Sequence, residues 1–275
     1  MSNLVSTQWL EQHLNEVRVV DASWYMPDEK RQPAKEFETG HIPGAVFFDI
    51  DGVADHTTGL PHMLPAPGEF SKAVGALGIG DGETVVVYDG SGLFSAPRLW
   101  WTLKAMGHES VKVLDGGFPK WKREGRPIET GPAQPGTKFF TAILKPALVR
   151  DFDTVLGVVK DKSAQIVDAR SPARFKAEEP EPRPGVRGGH MPGAINVHYR
   201  KLVAEDGTLR PPAQIKAAFS HVDLNKPVIT TCGSGLTAAI LTLALAEIGK
   251  RDVALYDGSW TEWGTRPEAP VVRGP

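Results

Sequence analysis

The sequence predicts an α/β protein built from two similar domains, each with a parallel β-sheet flanked by helices. The chain has 275 residues, of which 41% are hydrophobic, and this length suits one large domain or two small ones. Four sequence blocks occur twice in the same order. Short runs rich in Val, Ile and Leu alternate with longer helical patterns, as expected for parallel strands joined by helical crossovers.

The repeated blocks identify the two halves as copies of one domain. The first block is RVVDAS and its partner is QIVDAR; the second pair is ETGHIPGAVFFDI and RGGHMPGAINVHY. The third pair, VVVYDGSGLFSAP and VITTCGSGLTAAI, aligns position for position, and VKVLDGGFPKW is matched by VALYDGSWTEW. A self-similar order of this kind indicates a duplicated structural unit.

The third pair of blocks gives the clearest strand and helix predictions. The bounded β-branched runs Val85–Tyr88 and Val228–Thr231 are typical of buried parallel strands. The stretch AAILTLALAEIG that follows the second run is apolar on nearly every side, which predicts a buried helix. Gly249 suits the position after its C-terminal end.

The domain limits follow from composition. We expect a first domain over residues 1–130, a linker over 131–145 and a second domain over 146–275. The linker stretch is rich in Gly and Pro and lacks helical periodicity.

Charge and composition exclude several functional classes. The net charge of −2 and the pI near 6.5 argue against broad nucleic-acid binding, which needs a basic excess. No apolar run reaches the ~18 residues of a membrane helix, and the N-terminal residues have no secretory signal pattern. A single cysteine forms no internal disulfide, which favours a reducing compartment. We therefore expect a cytoplasmic protein that has no contact with membranes.

The single cysteine, Cys232, is the strongest candidate for catalysis. It lies where a predicted strand turns into a predicted helix, a place where several backbone N–H groups stabilise an anion. Gly233 and Gly235 allow the backbone to curl, and Ser234 adds an uncharged hydroxyl. The first copy has Asp89 at the matching position. We therefore predict that the first domain is catalytically inactive.

Two reaction classes use a thiolate in such a loop. Protein tyrosine phosphatases need the pattern C-x5-R, but the sixth residue after Cys232 is Ala238, so the phosphate dianion would lack its arginine. The remaining class is sulfur transfer, in which a cysteine takes sulfur from a donor, holds it as a persulfide and passes it to a nucleophile.

The GHIPGA and GHMPGA turns, the DGG and DGSW segments and the six-residue cysteine loop resemble tandem-domain rhodanese-like sulfurtransferases. The loop CGSGLT resembles the C-G-[ST]-G-x-T signature of the 3-mercaptopyruvate branch, whereas thiosulfate-specific members typically carry C-R-K-G-x-T. The resemblance implies two rhodanese-like domains and a loop that cradles the substrate. The cradle residues are Gly233, Ser234, Gly235, Leu236 and Thr237, with Leu236 where Val or Thr is usual.

Other site residues are also implied by the resemblance. Arg174 and Arg183 match the arginines that bind the carboxylate and keto oxygens of mercaptopyruvate, for which bidentate guanidinium groups are suited. Asp51 and His62 match an Asp and a His that reach the loop serine. With Ser234 they would form a proton relay.

The implied reaction moves sulfur from 3-mercaptopyruvate through Cys232 to a thiol acceptor such as thioredoxin, or to cyanide, and releases pyruvate. We expect neither a metal nor an organic cofactor. Two alternatives stay open at this point. One is a thiosulfate:cyanide sulfurtransferase, and the other is a non-catalytic carrier or binding module that hands persulfide to a partner.

Overall fold

The computed structural model describes residues 2–274 and divides the chain into two compact units. The first unit takes most of the chain up to Lys145 but leaves out Asp55–Leu64, and it adds Val203–Leu209. The second unit consists of Asp55–Leu64, Pro146–Leu202 and the chain from Arg210 onward. Each unit thus contains one short segment from the other half of the sequence.

The first unit is built on a five-stranded parallel sheet with the strand order β1-β5-β4-β2-β3. Strands β1 to β5 are Leu4–Val5, Arg18–Asp21, Val46–Phe47, Val85–Tyr88 and Val111–Leu114. Helices α1 to α5 are Thr7–His13, Pro33–Thr39, Pro67–Ala76, Ala96–Ala105 and Gly117–Arg123, with a 3₁₀ turn at Pro27–Glu29.

The second unit repeats this sheet with the order β6-β10-β9-β7-β8, again all parallel. Strands β6 to β10 are Val149–Arg150, Gln165–Asp168, Ile195–Asn196, Val228–Thr231 and Val253–Tyr256. Helices α6 to α10 are Phe152–Asp161, Pro172–Lys176, Pro212–Ala218, Ala238–Glu247 and Ser259–Thr265, with 3₁₀ turns at Pro146–Leu148 and Tyr199–Lys201. The prediction of two parallel sheets flanked by helices is confirmed.

The predicted central strands and the buried helix are present with the expected character. All four residues of β4 and of β9 are buried, as in strands covered on both faces. Eight residues of α9 are buried; its one buried hydroxyl, on Thr242, lies 2.8 Å from the hydroxyl of Thr230. Gly249 follows this helix with a φ of 89°, in the left-handed region that favours glycine.

Fully buried tryptophans belong to the hydrophobic core of each unit. In the first unit Trp121 is fully buried against Leu10, Val86 and Tyr88. In the second unit Trp260 and Trp263 are fully buried with Ile229 and Tyr256. Their indole N–H groups donate to backbone carbonyls, Trp260 to Arg187 at 2.8 Å and Trp263 to Pro270 at 2.9 Å. These side chains therefore stabilise the fold rather than line an open site.

The two exchanged segments, which we call straps, are held by equivalent aspartates. Within the second unit, the Leu64 N–H of strap 55–64 donates to Asp257 at 2.8 Å. Within the first unit, the Leu209 N–H of strap 203–209 donates to Asp115 at 2.8 Å. Asp115 and Asp257 begin the repeated DGG and DGSW segments, so the duplicated sequence provides the same anchor in both units.

The stretch expected to be a linker runs along the first unit, to which it belongs as far as Lys145. Phe140 is its buried side chain and packs edge-on against Phe70 with 5.9 Å between ring centroids. Backbone hydrogen bonds from Lys138 to Gly75 and from Ile143 to Met106 fix it further. Nowhere in residues 2–274 is there a helix with the length and apolarity needed to cross a bilayer.

The first repeated block ends differently in the two units, at a buried aspartate. Asp168 forms a two-point ion pair with Arg170, with 2.7 Å between Oδ2 and Nη2. In the first unit the arginine is replaced by Ser23, whose N–H and hydroxyl both donate to Asp21. Burial without a cation raises the pKa of Asp21 to about 6, and the Ser23 hydrogen bonds offset only part of this effect.

The raised pKa of Asp21 predicts a loss of stability with rising pH. The folded state retains the proton up to about pH 6, whereas the unfolded chain releases it near pH 4. The folded state therefore binds more protons between pH 4 and 6, so the free energy of unfolding falls as pH rises through this window. The contribution is at most about 3 kcal/mol.

We expect Asp21→Asn to remove this loss, because the amide keeps an acceptor for Ser23 and stays neutral. In thermal unfolding measured from pH 4 to 7, the stability of the variant relative to the parent should increase as pH rises. Glu16→Gln, at an exposed carboxylate, is the control and should show no such trend. A constant offset between Asp21→Asn and the parent would contradict the assignment.

Candidate active site

Cys232 begins the loop between β9 and α9, and it is only 2% exposed. The start of α10 holds the backbone of this loop. The Trp260 N–H donates to the Cys232 carbonyl at 2.9 Å, and the Thr261 N–H donates to the Gly233 carbonyl at 2.9 Å. The Thr261 hydroxyl also donates to Gly233, at 2.6 Å. The direction of the loop is therefore fixed by three hydrogen bonds.

Ser259 binds the backbone of Cys232 and was not predicted from the sequence. Its hydroxyl accepts the Cys232 N–H at 3.3 Å and donates to the Tyr256 carbonyl at 2.8 Å. Ser259 is fully buried with a φ of 49°, a left-handed conformation that strains a serine. The repeat did contain a signal for this left-handed conformation, because the matching residue of the first copy is a glycine, Gly117, with a φ of 53°.

In the first copy the matching loop binds a carboxylate, that of Asp89, through its backbone N–H groups. The Asp89 carboxylate accepts four backbone N–H groups of its own loop at 2.8–2.9 Å, those of Ser91, Phe94, Ser95 and Ala96. The Phe118 N–H donates to the Asp89 carbonyl at 3.0 Å, as Trp260 does to Cys232. The loop geometry is retained, and the carboxylate occupies its anion-binding positions.

The aligned N–H groups in the second copy belong to Ser234, Thr237, Ala238 and Ala239. That of Ala239 donates to the Leu236 carbonyl at 3.2 Å. The other three positions correspond to groups that bind a carboxylate in the first copy, so the loop is suited to an anion on the Cys232 side chain.

The cradle residues differ in what they require of the backbone. Gly235 has a φ of 77°, which explains the glycine at that position. Gly233 lies outside the left-handed region, and its role is to leave space: a Cβ there would be 3.0 Å from Nη2 of Arg174. Leu236 is 3% exposed, and Thr237 precedes the first residue of α9. The structure therefore brings Arg174 to the first residue after the cysteine.

Arg174 is held by a buried carboxylate that sequence reasoning missed. Oε2 of Glu181 lies 2.5 Å from Nη2 of Arg174, and Oε1 lies 2.7 Å from Nη1 of Arg170. The Glu181 side chain is 3% exposed, compared with 23% for Arg174. Arg170 also lies over the Trp260 ring at 4.2 Å and pairs with Asp168. The sequence alone would predict an exposed position for Glu181, because it lies in the polar stretch EEPEPR.

The two other arginines of this segment have different surroundings. Arg183 is half-buried and lies two residues after Glu181. Arg187 donates to four backbone carbonyls at the end of α10 and just beyond it, at 2.6–3.1 Å. Arg187 thus ties its loop to α10 and has a structural role.

The three residues of the predicted relay lie in separate stretches. Ser234 is 8% exposed in the cysteine loop, and His62 is 4% exposed in strap 55–64 of the same compact unit. His62 has a φ of 60°. Asp51 belongs to the first unit, where its carboxylate accepts the Trp24 indole N–H at 2.7 Å. Within the described range 2–274, no three His, Cys, Asp or Glu side chains are grouped to hold a metal ion.

Comparison with known proteins agrees with this geometry. The chain matches the rhodanese-like domain family twice, over residues 6–124 and 152–266. It is 45% identical to the 3-mercaptopyruvate sulfurtransferase of Escherichia coli K12, over 97% of this chain and 96% of that protein. It is 42% identical to the mitochondrial thiosulfate/3-mercaptopyruvate sulfurtransferase 1 of Arabidopsis thaliana, over 98% of this chain and 77% of that protein.

A solved structure gives the same result in three dimensions. The crystal structure of SseA from Escherichia coli, a 3-mercaptopyruvate sulfotransferase with a rhodanese fold, superposes with a TM-score of 0.87 at 43% identity. The match covers 94% of this chain and 99% of SseA.

The contacts of Ser259 predict a stability order for two substitutions. Ser259→Ala keeps the strained φ and leaves the Tyr256 carbonyl and the Cys232 N–H without their partner, so we expect a loss of about 1–3 kcal/mol. Ser259→Gly also removes the hydroxyl but relieves the strain, as glycine does in the first copy. Thermal unfolding should rank the parent first, the glycine variant second and the alanine variant last. An alanine variant as stable as the parent would show that this hydroxyl is dispensable.

Proposed function

This chain belongs to the tandem rhodanese-like sulfurtransferases, and from that premise we propose that it moves sulfur from 3-mercaptopyruvate through a Cys232 persulfide to a thiol acceptor. The observation that carries the donor assignment is the neutral loop after Cys232 with the Arg174 guanidinium beside Gly233. A donor with one remote carboxylate suits this arrangement. A dianion whose charge lies beside the attacked sulfur would lack a close cation within the loop.

In the first half-reaction the Cys232 thiolate attacks the sulfur of mercaptopyruvate. The new S–S bond forms as the C–S bond breaks, and the electron pair of the C–S bond leaves on carbon as the enolate of pyruvate. The proton of the donor thiol ends on that carbon, which gives pyruvate. The anionic persulfide that remains is stabilised by the backbone N–H groups of the loop.

Two sets of side chains assist this step in our proposal. Arg174 and Arg183 bind the carboxylate and keto oxygens of the donor and so orient its sulfur toward Cys232. Ser234, supported by His62 and Asp51, passes the thiol proton to the enolate. The burial of Ser234 and His62 supports this role, because a shielded relay exchanges fewer protons with water.

In the second half-reaction a nucleophilic acceptor attacks the outer sulfur of the persulfide. The S–S bond breaks, and its electron pair returns to Cys232 as thiolate. A thiol such as that of thioredoxin, or cyanide, satisfies this chemistry. We propose a reducing compartment such as the cytoplasm, because the one cysteine of the chain must stay a thiol between cycles.

Steady-state release of pyruvate from mercaptopyruvate, with and without a dithiol, tests the proposal. We expect turnover that depends on the acceptor, with a higher kcat/KM for mercaptopyruvate than for thiosulfate. The name of the Arabidopsis relative includes both donors, so thiosulfate is the necessary comparison. A preference for thiosulfate would overturn the donor assignment. Persulfide loading without repeated turnover would instead support a carrier module.

Cys232→Ser should abolish turnover. It should also abolish the mass gain of one sulfur atom that donor treatment gives the parent protein, because the chain has no other thiol. Circular dichroism checks that the variant is folded. Turnover by a folded serine variant would show that sulfur does not pass through Cys232.

Loss of either donor-binding arginine should raise KM for mercaptopyruvate. A charge-assisted hydrogen bond contributes about 1.5–3 kcal/mol, so Arg174→Ala and Arg183→Ala should each raise KM by about tenfold or more. Arg251→Ala is the control, because this exposed arginine precedes β10 and thus lies at the sheet edge opposite the cysteine loop. If neither variant changes KM more than the control does, the donor is bound elsewhere.

A further inference from the structure

We propose that Glu181 acts together with the neutral loop to select a donor with a single charge, because it neutralises Arg174 while holding it beside Gly233. The inference rests on the proposed function, since it explains how that site distinguishes donors. Glu181 acts through Arg174 and is therefore a positioning residue.

Two arginines and two carboxylates form one cluster, in which every side chain except that of Arg174 is buried. Asp168 forms a two-point pair with Arg170, and both side chains are at most 2% exposed. This pair is balanced by itself. The second carboxylate, Glu181, touches both arginines, so its charge remains to balance Arg174.

Arg174 offers the donor hydrogen bonds but little net charge. Its side chain is 23% exposed, while that of Glu181 is 3% exposed, so the guanidinium is accessible and its counter-charge lies behind it. A guanidinium paired in this way still donates hydrogen bonds to a carboxylate or keto oxygen. Its net electrostatic attraction for an anion is weaker, because the adjacent carboxylate cancels most of its charge.

The two donors differ in the number and position of their negative charges. Mercaptopyruvate carries one carboxylate away from its sulfur, and thiosulfate carries two charges next to the sulfur that is attacked. At equal distances from Arg174, an added positive charge stabilises the two charges of thiosulfate about twice as strongly as the single charge of mercaptopyruvate. With Glu181 ionised, the neutral loop and the neutralised Arg174 disfavour the dianion together.

The experiment measures kcat/KM for both donors with cyanide as acceptor in the full chain. Glu181→Gln keeps the shape and one acceptor but removes the charge. We expect the thiosulfate-to-mercaptopyruvate ratio of kcat/KM to rise about tenfold, equivalent to ~1.4 kcal/mol. Glu181→Asp keeps the charge and shifts the carboxylate, so it should keep the parent ratio while raising KM for mercaptopyruvate. Glu179→Gln removes an exposed charge of the same loop and should change neither.

Two outcomes would overturn the inference. One is a Glu181→Gln protein in which both donors lose activity equally, since that is the result of a purely structural defect. The other is a Glu181→Asp protein in which the thiosulfate-to-mercaptopyruvate ratio rises about tenfold, since its charge is intact. The aspartate variant thus tests the idea even where the glutamine variant is poorly folded.

A second readout does not depend on the donor. The chain has one cysteine, so alkylation by anionic iodoacetate and by neutral iodoacetamide reports the potential at Cys232. Glu181→Gln should raise the iodoacetate-to-iodoacetamide rate ratio, and an unchanged ratio counts against the charge effect. A parent protein that releases no pyruvate from mercaptopyruvate would defeat the proposed function, and the alkylation ratio would still test Glu181.

Discussion

The hydrogen bond from the Trp260 N–H to the Cys232 carbonyl is the contact on which the active site depends. It joins the start of α10 to the end of β9 and thereby sets the direction in which the cysteine loop leaves the sheet. The first copy has the same bond between Phe118 and Asp89. The bond persists where no nucleophile is present, so it belongs to the fold, and the chemistry depends on the residue placed at the head of the loop.

Asp89 of the first copy helps to explain the cysteine loop of the second copy. Four backbone N–H groups converge on the Asp89 carboxylate, which is an anion of about the size of a persulfide group. The sequence predicted that Asp89 rules out thiol chemistry. The structure adds that the carboxylate accepts the N–H groups of Ser95 and Ala96, which are both buried and need an acceptor. Replacing the nucleophile by an acid therefore preserves the stability of the loop.

Repetition and hydrophobic pattern were enough to predict the two parallel sheets, the strands β4 and β9 and the buried helix α9. The cysteine loop was identified because its residue types are unusual at a strand–helix turn. Glu181 was missed because nothing in EEPEPR distinguishes a buried acid from its exposed neighbours; only the fold brings two arginines to it. Ser259 was missed because a left-handed serine has no local sequence signal. Its alignment with Gly117 would have revealed it.

The straps have a consequence for the gene as well as for the protein. The unit that contains Cys232 includes residues 55–64, which are encoded in the half that has no cysteine. The other unit includes residues 203–209, which are encoded in the second half of the sequence. A coding sequence divided at the linker would thus yield two fragments. Each fragment would keep its anchoring aspartate, Asp115 or Asp257, but would lack the strap that this aspartate binds. His62 would lie on the fragment that lacks Cys232. After this exchange, deletion of the first copy would also remove residues 55–64 from the unit that contains Cys232.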